Sequence, residues 1–239
     1  MRYQWAVASH QGRLRTNNED SAYPGTSGSG FAPFVAMVAD GMGGHVAGET
    51  ASRIAVDTAV SVDGPVQARI RAGNTAILEE VSRRPELAGM GTTLTLVEIG
   101  KDAVARFGHV GDSRAYLLRK GGMRQLTEDH TIVAEYVRAG KLTPEEASDH
   151  PQRNMITRAL GLVPEVEVDT FILGLRVHDR ILLCSDGVNS MLGDAAIAAA
   201  LDDSTPEEAV WALVEAANKA GGHDNITAVV VDVEPDPDR

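Results

Sequence analysis

The stretch Phe34-Val-Ala-Met-Val-Ala-Asp40-Gly-Met-Gly-Gly44 decides how the rest of the chain is read. An uncharged run of small and β-branched residues stops at Asp40, and glycines follow at 41, 43 and 44. Such a run, closed by turn residues, predicts a buried strand over Phe34–Asp40. A carboxylate at the end of that strand, beside backbone that glycine leaves bare, suits a hard cation that takes carboxylate and carbonyl oxygens. The same residues also make an ordinary strand-to-turn junction, because Asp and Gly are turn formers. This stretch alone leaves both readings open.

Working outward, Tyr3–Ser9 reads as a first strand. It is followed by a polar segment containing Arg15-Thr-Asn-Asn-Glu-Asp20, and then by a flexible glycine loop at Gly25–Gly30. Helical spacing predicts helices over Glu49–Val60 and Val66–Arg83. Strands are expected at Thr92–Ile99, Ala103–Val110 and Ala115–Leu118, joined by short turns into an antiparallel meander. The polar segment Glu128–Gly161 reads as short helical pieces forming a surface excursion. Strands resume at Val166–Leu173, Arg180–Ser185 and Thr227–Val233. Before the last of these, Thr205-Pro206-Glu207-Glu208 opens a helix that Gly221-Gly222 closes. Antiparallel strands in runs with helices in pairs suggest a central two-sheet core with helices packed outside.

The formal net charge of −12 argues against nucleic acid as the main partner and leaves no polybasic membrane patch. No apolar run has membrane-spanning length and the first residues lack a signal-peptide core, so no membrane segment is expected. Cys184 is the single cysteine; no intramolecular disulfide can form, which favours a cytoplasmic, reducing compartment.

Three further aspartates share the context of Asp40. Asp112 follows one strand, Asp186 follows another, and Asp224 precedes the last. Strand rims gather in space in a layered β structure, so these acids can converge. Converging anions repel and resist desolvation unless a divalent cation joins them. Oxygen-only ligands point to Mg2+ or Mn2+. Two such ions about 3.5–4 Å apart suit phosphoester hydrolysis, and a guanidinium such as Arg15 would fork onto the phosphate.

The segments Arg15-x-x-Asn-Glu19-Asp20, Asp40-Gly41-Met42-Gly43-Gly44, Gly91-Thr92-Thr93, Gly111-Asp112-Ser113-Arg114, Ser185-Asp186-Gly187 and Asp224-Asn225 occur in this order. Together they resemble the bacterial metal-dependent Ser/Thr protein phosphatases, the PPM (type 2C) family, over nearly the whole chain. The resemblance implies an α+β fold, a four-layer α-β-β-α sandwich with two central antiparallel sheets flanked by helix pairs. It implies one phosphatase domain over residues 1–233, with a flap insert at about 128–161 and a tail at 234–239. The implied reaction is hydrolysis of phosphoserine and phosphothreonine by a water or hydroxide bridging two metals and attacking phosphorus directly. Asp40 would bridge the ions, the Gly41 carbonyl would complete one, and Asp186 and Asp224 would hold the other. Asp112 with Asp186 would form a third site, Glu19 would act through water, and Asp20 would stand behind the ligands. Arg15 would bind the phosphate. Substrates would be phosphorylated Ser/Thr proteins, a cognate Ser/Thr kinase among them, and the protein would be a monomer.

One position departs from the pattern. Some relatives carry a histidine directly after the Asp-Gly pair, proposed as general acid; here it is Met42, whose thioether has no proton to give. His45 and His150 are nearby alternatives, and His109 and His223 adjoin motif acids; none is assigned. Gly43–Gly48 has Walker-like spacing, but Glu49 replaces the lysine. Cys184 lacks the Cys-x5-Arg pattern and reads as a core thiol. Two rival functions remain: a catalytically silent phosphoprotein-binding or partner-switching module on the same fold, and a phosphatase for small molecules.

Overall fold

The computed structural model describes residues 1–44, 46–202 and 204–236, with the backbone alone at Val46. His45 and the end of the 234–239 tail lie outside the described residues. Strands β1 (Arg2–His10), β2 (Asp20–Tyr23), β3 (Gly28–Phe31) and β4 (Phe34–Met42) come first. Helices α1 (Val46–Ser61) and α2 (Val66–Arg83) follow, then β5 (Gly91–Thr92), β6 (Leu94–Ile99), β7 (Val104–Val110), β8 (Arg114–Arg119) and β9 (Gly122–Gln125). The segment 128–161 carries the short helices α3 (Ile132–Arg138) and α4 (Pro144–Ser148). The chain continues through β10 (Asp169–Gly174), β11 (Arg180–Cys184), α5 (Asp186–Asn189), α6 (Asp194–Leu201), α7 (Pro206–Lys219) and β12 (Ile226–Glu234).

The strands form two antiparallel sheets. One runs β3-β1-β12-β11-β8-β9; the other runs β10-β7-β6-β4-β2, with β5 paired to the end of β4. The sheets stack face to face, and helices cover both outer faces. Strand β12 shows why. Its Val229, Val231 and Val233 belong to the core between the sheets, while Ala228 and Val230 face the helices. Burial on both faces is what makes Ile226–Val231 almost continuously apolar. Strand β4 repeats the pattern: Ala36 and Val38 point into the inter-sheet core, and Met37 and Ala39 meet the α1–α2 layer. The outer core over the first sheet is filled from α7 by Leu213, Val214 and Ala217.

Four expectations change. Gly28–Gly30 is an edge strand paired to β1 rather than a loop. Its glycines matter, because a Cβ on Gly28 would lie 2.9 Å from the Trp5 ring, which occupies that space. Strand β4 runs past Asp40, with Gly41 opposite Thr92 and Met42 opposite Gly91. The strand expected from Val166 begins only at Asp169. Asp20, read as the end of a polar segment, instead opens a strand, Asp20–Tyr23, and stands opposite Asp40.

Helix α7 begins as the sequence predicts. Thr205 Oγ1 accepts from the Glu208 N–H at 3.3 Å, and the Glu208 carboxylate accepts from the Thr205 N–H at 2.9 Å. Helix α4 has the same reciprocal cap at Thr143 and Glu146, yet none of its residues is buried. A cap stabilises the protein only as far as its helix is coupled to the core. Thr205→Ala should therefore lower the unfolding free energy by about 1 kcal/mol, read from the denaturant midpoint. Thr143→Ala should leave that midpoint unmoved while raising hydrogen exchange over 144–148.

Candidate metal centre

The acids meet because β2, β4, the β7–β8 turn, the β11–α5 junction and the entry to β12 end on one rim. Asp40, Asp112, Asp186, Asp224 and Glu19 all line one cleft of about 630 Å³. Asp20 lies behind them. Its Oδ2 accepts from Ser185 Oγ at 2.8 Å, and its buried Oδ1 has no partner.

A net of short bonds holds the rim. The Asp40 N–H donates to Thr93 Oγ1 at 2.9 Å, and Thr93 and Ser113 hydroxyls meet at 2.8 Å. Thr92 Oγ1 and the Thr93 N–H both donate to the Asp40 carbonyl. The backbone at Gly41 is crowded: a Cβ there would collide with the carbonyl oxygens of Gly48 and Glu19. Glycine at 41 is thus required by packing. Asp112 follows Gly111, whose φ of 111° belongs to the left-handed region and whose Cβ would strike Thr93.

Asn225 is the clamp between distant segments. Its Nδ2 donates to Gln11 and Asn17 carbonyls at 3.0 and 2.8 Å, and its Oδ1 accepts from the Glu19 N–H at 2.8 Å. This fixes the Arg15 loop over Asp224, where Arg15 Nη2 donates to Asp224 Oδ2 at 2.7 Å. The guanidinium is half exposed and lines the cleft. The sequence gives Asn225 only as the neighbour of an acid. Its clamping amide shows no pattern along the chain, since its partners lie more than 200 residues away.

The electrostatics of the rim are those of crowded anions. Burial first, then the charges of Asp20 and Asp186, hold the Asp40 carboxyl well above the usual range. Burial and the Asp186 charge do the same to Asp112. Burial pushes Asp20 up to about 7 against hydrogen bonds from Thr227 and Ser185. Asp186 rises to about 6 through burial and the Asp224 charge, opposed by a hydrogen bond with Asp40. Two carboxyls in hydrogen-bond contact must share a proton or a cation. The buried Asp186 Oδ1 has no partner in the protein.

These residues fit divalent ions with oxygen ligands. Among the described residues, no three His, Cys, Asp or Glu side chains already form a closed ligand cluster. The histidines do not complete the site: among the described residues none lines the cleft. His109 is buried, bonded to Thr95 and the Glu128 carbonyl, and pushed down to about 4 by burial and by His130. His150 accepts from the Gln152 N–H and sits edge-on to Tyr136, while His223 is exposed. Arg114 forks onto Asp129 rather than toward the acids.

The protein phosphatase 2C family model matches residues 9–216, and the chain belongs to this family. It is 41% identical to the crystallised Ser/Thr phosphatase PstP/Ppp of Mycobacterium tuberculosis, with a TM-score of 0.91 over 98% of this chain and 100% of that one. The PstP catalytic domain in complex with two manganese ions matches at 40% identity and a TM-score of 0.87, over 98% of this chain and 99% of that one. The Ser/Thr phosphatase stp of Listeria innocua is 39% identical over 93% of this chain and 92% of its own. Full-length M. tuberculosis PstP is 42% identical over 96% of this chain, which spans 45% of that protein's length. The expected fold and family both stand. No helix among the described residues is long and apolar enough to cross a membrane.

The raised carboxyls set a pH dependence. Unfolded, these acids lose their protons near pH ~3.9; folded, Asp186 and Asp20 keep theirs to about 6 and about 7. The folded state binds more protons in that window, so stability falls as pH rises through it. Chelator-treated protein should lose melting temperature between about pH 4 and about pH 7. Mn2+ should restore more at the upper end than the lower, as calorimetry would read. Asp186→Asn should flatten the chelated profile.

Proposed function

We propose that this chain hydrolyses phosphoserine and phosphothreonine in proteins, with Mg2+ or Mn2+ as cofactor. The observation that carries the reading is the convergence of five carboxylates on one cleft that also holds Arg15. Asp40 would be shared by two ions, and the Gly41 carbonyl would complete one of them. Asp186 and Asp224 would hold the second ion and Asp112 with Asp186 a third, while Glu19 would act through water and Asp20 accepts from Ser185 behind them. The ions, when bound, supply an acidified water and positive charge for the phosphate oxygens.

The protein's own part is positional. Its acids fix where charge sits before substrate arrives, the setting in which electrostatic stabilisation is most effective. Arg15 keeps one N–H on Asp224 and has the exposure to offer others to a phosphate oxygen. Met42 lines the cleft and offers no proton to the leaving alcohol. The 128–161 segment stands beside the acids as a flap, and the second cavity beneath it, about 550 Å³, shares Asp112 and Asp186 with the cleft. The buried, unpaired Cys184 fits a reducing, cytoplasmic setting. A phosphorylated kinase is a natural substrate.

A silent binding module would have no use for this full set of acids at the cost of their mutual repulsion. Purified chain with Mn2+ should release phosphate from a phosphothreonine peptide, and chelator should stop it. Asp186→Asn should cut kcat/KM by about a hundredfold or more, and Arg15→Ala by about ten- to a hundredfold. No turnover of any phosphopeptide with metal would sink the reading; turnover of metabolite phosphates alone would redirect it.

A further inference from the structure

Large exposed apolar side chains gather at the acid cleft. Leu14 is 67% exposed, Met155 49% and Leu162 50%, and all three line the cavity of the acids. They come from the β1–β2 loop, from the flap and from just beyond it. Single exposed apolar residues are ordinary on a protein surface; a group of them around one polar cleft is a recognition feature.

Met42 completes the group. A Cβ on Gly91 would meet Met42 Cε at 2.9 Å and Leu162 Cδ2 at 3.4 Å, so both side chains rest on the same bare backbone. The wall is held firmly. Met155 is tied on both sides, its N–H donating to the Gln152 carbonyl and its carbonyl accepting from the Ile132 N–H, each at 3.0 Å. The Leu14 loop is pinned by the Arg13 N–H donating to the Gly222 carbonyl at 2.7 Å. Among the described residues lining this cleft, Arg15 is the single cation. Once it serves the phosphate, none remains for an acidic neighbour.

We propose that Leu14, Met42, Met155 and Leu162 form a specificity subsite that receives an apolar side chain adjacent to the phosphorylated residue of the substrate. The proposal rests on the phosphatase reading above and names the class of sequence that site prefers. Met42 is then a wall residue that offers apolar contact and no proton.

The test uses purified chain with Mn2+ and phosphothreonine peptides identical except for Leu, Ala, Glu or Lys at each position within two residues of the phosphothreonine. At one or more of these positions Leu should exceed Ala by about tenfold in kcat/KM, the scale of an apolar pocket's discrimination, with the gain carried by KM. Leu14→Ser with Met155→Ser should reduce that ratio to about twofold or less, and Met155→Leu in place of Met155→Ser should restore most of it. Both side chains are largely in solvent, and the comparison among peptides on the unaltered chain needs no variant. Hydrolysis with a flat Leu/Ala ratio at every position, a preference for Lys or Glu over Leu, or a Leu preference that survives the double change would each overturn the subsite and leave the phosphatase reading standing. No hydrolysis of any peptide would overturn that reading and the subsite with it.

Discussion

Five carboxylates held at one rim repel one another, and everything else in the molecule is arranged to hold them there regardless. The two sheets supply the rigidity. Their shared core is dominated by valine, isoleucine and alanine, side chains with few rotamers to lose, so the strand ends that bear acids have little freedom to splay. The hydroxyl chain from Asp40 through Thr93 to Ser113 ties β4, the β5–β6 junction and the β7–β8 turn at the rim itself. Without such ties the acids would lower their energy by separating. With them, relief comes from protons or from cations.

That tension explains why the site is built largely of groups without an acid's charge. Thr92, Thr93, Ser52, Ser185 and Asn225 make bonds that position backbone, and Gly41 and Gly48 leave room for it. Ser52 Oγ donates to the Glu19 carbonyl at 2.6 Å, while the Glu19 carboxylate fills the space a Cβ on Gly48 would need. A larger residue at 41 or 48 would push apart segments that the acids are already pushing apart.

Much of this was legible along the chain, for physical reasons. Strands buried on both faces, such as Ile226–Val231, announce themselves by uninterrupted apolar residues. The acids stand where those runs stop, so Asp40, Asp112, Asp186 and Asp224 could be picked out before any fold was known. The cap at Thr205 was readable because its partners are three residues apart. Edge strands were not. Gly28–Gly30 is glycine-rich because Trp5 lies across it, a contact 23 residues away that no local pattern records. Asp20–Tyr23 is polar because one end carries site chemistry, and α5 is a single turn too short for a helical period. The apolar wall around Leu14, Met155 and Leu162 also escaped notice, because its members come together only through tertiary structure.

The place of β12 has a consequence for how the molecule comes into being. β12 lies between β1 and β11, so the second residue of the chain pairs with residue 234. During synthesis β1 must wait, without its main neighbour, until residues 226–234 have been made, and such long-range closure is slow. Asp224 and Asn225 arrive with that same strand. The full set of acids therefore cannot assemble until that closure is made.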